Sequence, residues 1–164
     1  MAIIIDGNVT PTAGAVAIGN GTTLNFTSAG TTGQILVSNG SSAPAFSTTI
    51  ASPTLTAPTI TNYTETLYSA TGSLTVALTN GTIQKITTSG STTITLPASV
   101  SGKSFTIIVN YAAADALSWA GGTTLKWAGG TTPTATSATG KFDVFNFVQD
   151  GTNTYGSVFG QNYY

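Results

Sequence analysis

The sequence has no cysteine, no histidine and no arginine, and charged residues occupy only 5% of its 164 positions. Without cysteine the chain forms no disulfide, has no thiolate nucleophile and has no cysteine-ligated zinc. Without histidine or a Gly-x-Ser-x-Gly elbow, it lacks the machinery of serine and cysteine hydrolases. Its four lysines are too few and too scattered to neutralise a phosphate backbone, so nucleic acid is not an expected partner.

Long apolar runs are also missing. No run approaches the roughly 18 residues that a membrane helix needs, so no membrane partner is expected. Residues 1–6 have neither a basic n-region nor a full h-region, and we interpret them as something other than a signal peptide. Gly102-Lys103-Ser104 ends like a P-loop, but the required first glycine is Pro97, so no nucleotide site is predicted.

Acidic residues are the remaining candidates for catalysis. There are five: Asp6, Glu65, Asp115, Asp143 and Asp150. A glycosidase needs two carboxylates, and Asp143 and Asp150 are the best placed. However, Asp150-Gly151 is typical of a hairpin turn rather than of a calcium loop, which needs more acids. Asp143 is interpreted as the polar member of a sheet edge. We therefore expect that the protein is not an enzyme and that it has no catalytic, cofactor-binding or metal-binding residues.

The residues that are abundant favour strands. About one residue in five is threonine, and valine and isoleucine are frequent among the apolar residues. These β-branched side chains fit a pleated surface, so the composition predicts an all-β protein. A net charge of −1 gives little repulsion between copies, which suits a protein that works in a crowded assembly.

Turn signals and proline divide the chain into three parts. Residues 1–50 are short apolar pieces cut by turns, and we predict that they form an N-terminal attachment region, with contacts through Ile3, Ile4, Ile5, Val16 and Ile18. Residues 51–62 contain two prolines five positions apart and are interpreted as an extended connector. Residues 63–164 show alternating apolar and threonine positions, which predict a C-terminal antiparallel β-sandwich of jelly-roll type.

One strand of this domain is apolar on both faces. In residues 142–148, Phe142, Val144 and Val148 point one way, and Phe145 and Phe147 point the other way. A strand with bulky groups on both faces needs cover on both. We therefore predict that one face lies in the core of the domain and that the other face contacts neighbouring copies in a homotrimer.

Aromatic residues offer a second candidate site. Trp119-Ala120-Gly121-Gly122 recurs as Trp127-Ala128-Gly129-Gly130. Trp119 and Trp127, with Tyr155, are candidate glycan contacts because flat rings stack on sugars. The alternative is that the indoles serve packing, as most buried aromatics do, while Gly-Gly makes a tight turn.

The last forty residues resemble a domain that is common at the carboxy terminus of fibre proteins of tailed bacteriophages. The matching segments are Lys126-Trp127-Ala128-Gly129-Gly130-Thr131, Gly140-Lys141-Phe142-Asp143-Val144, Asp150-Gly151, Tyr155-Gly156 and Gly160-Gln161-Asn162. Ala128 replaces the usual proline, and Thr154 stands where tryptophan is common. Residues 33–40 and 58–65 also resemble short units of such fibres.

The resemblance implies a trimeric structural protein of a virion, and it does not imply a catalytic site. A connector of about a dozen residues spans at most roughly 40 Å, which is short for a receptor-reaching fibre. We therefore expect a capsid decoration or cement protein, or a short head fibre, on the capsid surface with the major capsid protein as partner. The alternative is a tail fibre that contacts tail proteins and a host-surface glycan.

Overall fold

The computed structural model describes residues 12–19, 24–50, 54, 56–121 and 124–164. Strands hold 45% of the described residues and there is almost no helix, so the protein is all-β. The chain divides into two compact units, Met1–Ile60 and Thr61–Tyr164. Three of the expected attachment residues, Ile3, Ile4 and Ile5, lie outside the described part of the chain.

The first unit contains two antiparallel hairpins. Strand β1 (Ala17–Gly19) pairs with β2 (Leu24–Phe26), and β3 (Ile35–Asn39) pairs with β4 (Ser42–Ser47). Among the described residues of this unit, no side chain is buried. A two-stranded hairpin by itself is at best marginally stable in water.

The second unit contains nine strands and two short 3₁₀ turns. The strands are β5 (Tyr68–Thr71), β6 (Leu74–Thr75), β7 (Ile83–Thr87), β8 (Thr92–Thr95), β9 (Lys103–Asn110), β10 (Leu117–Ala120), β11 (Leu125–Trp127), β12 (Phe142–Gln149) and β13 (Thr154–Tyr163). The turns are Leu78–Asn80 and Ala128–Gly130. Six strands form one sheet in the order β11-β13-β12-β9-β7-β5, and three form another in the order β10-β8-β6.

The chain winds between these two sheets. Strands β5, β7 and β9 lie side by side in the larger sheet, while the intervening β6, β8 and β10 lie side by side in the smaller one. Five of the seven strand pairings in this unit are therefore parallel. This is the winding of a β-solenoid, in which each turn of the chain adds one strand to each sheet. The expected antiparallel, jelly-roll-like pairing is wrong here; only β9, β12 and β13 pair antiparallel.

The Asn80-Gly81 dipeptide shows why the structure differs from the predicted antiparallel pairing. Asn-Gly is a typical hairpin signal. Here it ends the first 3₁₀ turn, and Gly81 has φ 110°. The next strand, β7, belongs to the other sheet rather than to a hairpin with β6. The Asn-Gly dipeptide therefore carries the chain across the unit instead of reversing it.

Both sheets contribute to one hydrophobic core. Every second residue is buried along β8, β9 and β12, as a period of two predicts, and the buried apolar side chains of the two sheets meet. The buried members are Leu74, Val76, Ile86, Ile94, Leu96, Phe105, Ile107, Val109, Tyr111, Phe145 and Phe147. The core is therefore continuous from β6 to β12.

Candidate functional site

Asp143 lies at the centre of the most extensive polar network in the described residues. It sits on β12 and is fully buried. Its Oδ2 accepts hydrogen bonds from the Tyr111 hydroxyl at 2.8 Å, from the Thr136 backbone N–H at 2.8 Å and from the Gln161 side-chain amide at 3.3 Å. Its Oδ1 accepts from the Thr136 hydroxyl at 2.5 Å and from the Asn162 N–H at 3.1 Å.

The prediction that Asp143 is the polar member of a sheet edge is wrong. β12 lies between β9 and β13, so Asp143 is on an interior strand and faces the same way as Phe145 and Phe147. A buried carboxylate needs partners that satisfy its oxygens. Here the donors come from three separate segments, so the carboxylate joins residues after β9, residues before β12 and the end of β13.

Hydrogen bonds keep Asp143 ionised without a cationic partner in this network. Burial opposes the charged form, but the donors from Thr136, Asn162 and Tyr111 outweigh it, and the pKa of Asp143 lies below its usual value. Burial together with the nearby Asp143 raises the pKa of Tyr111 above its usual value, so the phenol stays protonated and donates. The pair is thus suited to holding structure rather than to exchanging protons near neutral pH.

Asp150 and Glu65 are also occupied by hydrogen bonds to neighbouring residues. Asp150 Oδ1 accepts from the N–H groups of Thr152 at 2.7 Å and Asn153 at 2.6 Å, which closes the predicted turn between β12 and β13. These backbone donors lower the pKa of Asp150 to about 2. The Glu65 carboxylate accepts from the hydroxyl and N–H of Thr82 beside β7, and these bonds lower its pKa.

Trp119 and Trp127 lie in an aromatic cluster at the core. The Trp119 ring centroid is 5.3 Å from that of Trp127 and 4.9 Å from that of Phe145, both in edge-to-face geometry. Phe147 contacts both indoles and stacks on Phe105 at 4.9 Å. The Trp127 ring also lies against Gly156, where an added Cβ would come within 2.6 Å of it. The packing interpretation of the two indoles therefore fits the structure better than a glycan platform.

Tyr155, the third candidate for glycan contact, is 47% exposed. Its hydroxyl donates to Asp150 Oδ2 at 3.0 Å, so the ring is held over the turn between β12 and β13. An open groove of about 490 Å³ lies nearby, lined by Trp127, Thr131 to Thr134 and Gly156 to Val158. Tyr155 does not line this groove, so the structure does not bring the three aromatic candidates into one surface.

The opposite face of the six-stranded sheet, here called the outer face, carries the other residues of the two-sided strand. Phe142 and Val144 are partly buried, and Val148 is 56% exposed. The register places Val148 beside Tyr155 on β13, and Val144 beside Ile108 on β9. Phe145 and Phe147 are in the core, so they form the buried one of the two faces, a choice that the sequence left open. The outer face is therefore apolar in part, with Ile83 and Val148 exposed.

The first unit positions the two remaining attachment residues on and beside its first hairpin. Ile18 is on β1 and is partly buried, whereas Val16 precedes β1 and is 37% exposed. The Val16 N–H donates to the Thr27 hydroxyl at 3.0 Å, which closes the hairpin next to β2. On the second hairpin, Ile35 and Leu36 are exposed as well, and the sequence reasoning did not select them.

Within the described ranges, no group of three or more potential metal ligands comes together. Likewise, no helix among them is long and apolar enough to cross a membrane. Comparison of the chain with protein-family models, with curated proteins and with solved structures gave no match. The function is therefore argued from the site geometry and from the sequence pattern.

The sequence reasoning missed the partners of Asp143. Tyr111, Thr136 and the adjacent pair Gln161-Asn162 lie in three separated segments, and only Gln161-Asn162 falls in a segment that the resemblance singled out. The signal for burial was the period of β12, because Asp143 falls on the same side as Phe145 and Phe147. An acid in phase with core residues indicates a buried carboxylate that needs several donors.

Proposed function

We propose that this protein is a structural protein of a bacteriophage virion, a trimeric capsid decoration or cement protein or a short head fibre, anchored through its N-terminal region. The observation that carries the proposal is the first unit, whose described hairpins bury no side chain and leave Ile35 and Leu36 exposed at 39% and 43%. Exposed strand edges accept a strand from another chain. The partner proposed for this region is the major capsid protein.

The second unit is proposed to be a two-layer β-sandwich that forms a homotrimer through its outer face. Val148 and Ile83 are exposed there at 56% and 39%, beside the partly buried Val144 and Phe142. Most soluble oligomers are closed and symmetric. Copies of the chain that contact one another through this face would therefore form a closed ring of few copies. The resemblance to phage fibres, which covers most of residues 33–164, favours three.

A structural rather than catalytic role is proposed for the acidic residues. Asp143 is enclosed by five hydrogen bonds from the protein, and Asp150 and Glu65 hold backbone N–H groups of adjacent segments. A general acid or base must reach its substrate, which a fully enclosed carboxylate does not do. An assay of host-polysaccharide depolymerisation tests the structural role of these acids. If the unaltered chain degrades the polysaccharide and the double variant Asp143→Asn/Asp150→Asn does not, the proposal is contradicted.

Native mass spectrometry tests the trimer. We expect the unaltered chain to have three times the mass of one copy. Val148→Asp adds a charge to the outer face and should yield a folded monomer, because burying an unpaired carboxylate is unfavourable. Thr139→Asp, which adds the same charge at an exposed turn, is the matched control and should remain trimeric. A stable monomer for the unaltered chain would contradict the proposal.

Truncation tests the attachment region. A chain that lacks residues 1–50 should keep the fold of the second unit, which has its own core. It should no longer join the particle, because the proposed contacts with the capsid are gone. If the truncated chain still decorates particles at the normal copy number, attachment lies elsewhere.

The alternative is a tail fibre that binds a host-surface glycan. Exposure of Tyr155 and the groove beside Trp127 favour it, since both leave aromatic surface accessible. Electron microscopy of labelled particles, with copy number from quantitative mass spectrometry, separates the two locations. Many copies over the shell support decoration, whereas a few copies confined to the tail support the alternative.

A further inference from the structure

Two Asn-Gly dipeptides in the described residues have contrasting surroundings. Asn39-Gly40 lies at the tip of the β3–β4 hairpin, and Asn80-Gly81 lies at the end of the first 3₁₀ turn. Asparagine followed by glycine is prone to deamidation, because the small glycine lets its backbone nitrogen reach the asparagine side chain. Asparagine is accordingly counted among the thermolabile residues. Sequence chemistry alone gives both dipeptides the same tendency.

The Asn39-Gly40 peptide is open to this reaction. Asn39 is exposed, and the Gly40 N–H has only a long contact of 3.4 Å to the Ser38 hydroxyl. A Cβ placed on Gly40 would meet no atom within 4 Å, so nothing crowds the peptide. The Asn39 side chain is held only by a 2.9 Å bond from its amide to the Ala43 carbonyl, at a two-stranded hairpin without a core.

The Asn80-Gly81 peptide is held on both sides. The Asn80 N–H donates to the Ala77 carbonyl at 3.0 Å, and the Gly81 N–H donates to the Leu78 carbonyl at 3.3 Å. The Gly81 carbonyl accepts from the buried Gln84 amide at 2.9 Å. A carboxylate oxygen of Glu65 also lies 2.7 Å from the position that a Cβ on Gly81 would occupy. Its negative charge opposes the loss of a proton from the Gly81 nitrogen, which ring closure requires.

We propose that Asn39 is a site of spontaneous deamidation in the native protein and that the fold protects Asn80. The Gly40 nitrogen attacks Cγ of Asn39, a C–N bond forms, and ammonia leaves with the displaced amide nitrogen. Water then opens the succinimide at either carbonyl and gives aspartate or isoaspartate. Overall, one water is consumed and one ammonia is released, with no oxidant or reductant.

The products would weaken the hairpin. A carboxylate at position 39 replaces the amide that donates to the Ala43 carbonyl, so a bond becomes a repulsion. Isoaspartate also adds one carbon to the backbone next to the Asn39–Ser42 pair and disturbs its register. The reaction makes the net charge one unit more negative than its present −1.

Timed incubation of the full chain at mildly alkaline pH tests the proposal. Chymotryptic cleavage after Phe26, Phe46 and aromatic residues further along separates the two dipeptides, and mass spectrometry measures deamidation and isoaspartate at each. We expect conversion at Asn39 to be several times faster than at Asn80. Asn39→Gln should abolish it at that position, because glutamine cyclises far more slowly. Equal rates, faster conversion at Asn80 or no conversion at Asn39 would overturn the proposal.

Incubation in concentrated urea supplies the control for sequence effects. The flanking residues are similar, with Ser38 and Ser41 around one dipeptide and Thr79 and Thr82 around the other. In the unfolded chain the two rates should become similar, since the fold no longer protects Asn80. If the native difference persists unchanged in urea, it comes from the flanking residues, and the structural explanation is wrong.

Discussion

The two units of the chain use similar residues but differ in what holds them together. From β5 to β11 the second unit alternates its strands between two sheets, and both sheets add apolar side chains to one core. The first unit has two separate hairpins, and none of its described side chains is buried. Threonine-rich strands therefore do not secure stability by themselves. A third strand or a second layer is what makes the difference.

The units also differ in their charges. No residue from position 12 to position 60 is titratable, whereas Glu65, Asp115, Asp143 and Asp150 all belong to the second unit. Three of those four carboxylates have a lowered pKa, because hydrogen bonds to the protein stabilise the charged form. The comparison therefore predicts that core substitutions and acid affect the second unit, while the described part of the first unit responds to neither.

The largest expected effect is that of Phe147→Ala. Phe147 is fully buried, stacks on Phe105 and contacts both tryptophans. Removing a buried ring leaves a cavity, so the free energy of unfolding should fall by about 3 to 5 kcal/mol. Urea unfolding followed by tryptophan fluorescence measures it. Val100→Ala, at a half-exposed position between β8 and β9, is the control and should change the free energy of unfolding by less than about 0.5 kcal/mol.

Replacement of the enclosed carboxylate ranks second. Asp143→Asn keeps the shape but loses the charge and presents an amide N–H₂ to groups that are already donors. Because hydrogen bonds to charged groups are strong, we expect a loss of about 2 to 3 kcal/mol. Asp115→Asn is the matched control: its carboxylate accepts from the Thr88 hydroxyl, and it should lose less than about 1 kcal/mol. Similar losses for the two variants would mean that the Asp143 network does not join the three segments.

How much of this was visible in the sequence depends on the range of the interaction. The strands from 83–87 to 142–149 were predictable, since apolar and polar residues alternate with period two. The same period predicted that Phe145 and Phe147 share one face, but not that this face is the buried one. The pairing of the strands was not predictable from this pattern. A strand has the same period-two alternation whether it pairs with the preceding strand in a hairpin or in parallel with the strand before that one.

A weak repeat does mark the winding. Gly72-Ser73 precedes Leu74-Thr75-Val76, and Gly90-Ser91 comes shortly before Ile94-Thr95-Leu96. The structure pairs Leu74 with Ile94 and Thr75 with Thr95 in parallel register. Recurrence of a short motif at the start of successive strands is the signal of a solenoid. The donors to Asp143 carried no such signal, because they are brought together only by the complete fold.

Acid should give the next effect, and only in the second unit. A carboxyl group whose pKa is lowered by folding adds stability above its unfolded pKa, and this stability is lost as pH falls through the folded pKa. The unfolded values are 4.5 for Glu65 and 3.8 for Asp150, and the folded value for Asp150 is about 2. Stability should therefore be constant from about pH 8 to about pH 5 and fall between about pH 4.5 and pH 2.

Urea midpoints at a series of pH values check this profile. The Asp143→Asn variant is the control, and its midpoint should fall less steeply with acid because one of the responding groups is gone. A loss of stability between pH 5 and pH 8 would contradict the prediction, since the chain has no histidine.

The smallest effect is expected for Leu36→Thr in the first unit. Leu36 lies on β3, is 43% exposed and pairs with Phe46 across the hairpin. Threonine is β-branched and suits a strand, and little apolar area leaves the protein interior. The free energy of unfolding of the second unit should thus change by less than about 0.5 kcal/mol, whereas Ile107→Thr in the fully buried core should lower it by about 2 kcal/mol. A loss above about 1 kcal/mol for Leu36→Thr would show that the hairpin supports the core of the second unit, and the contrast between the two units would then fail.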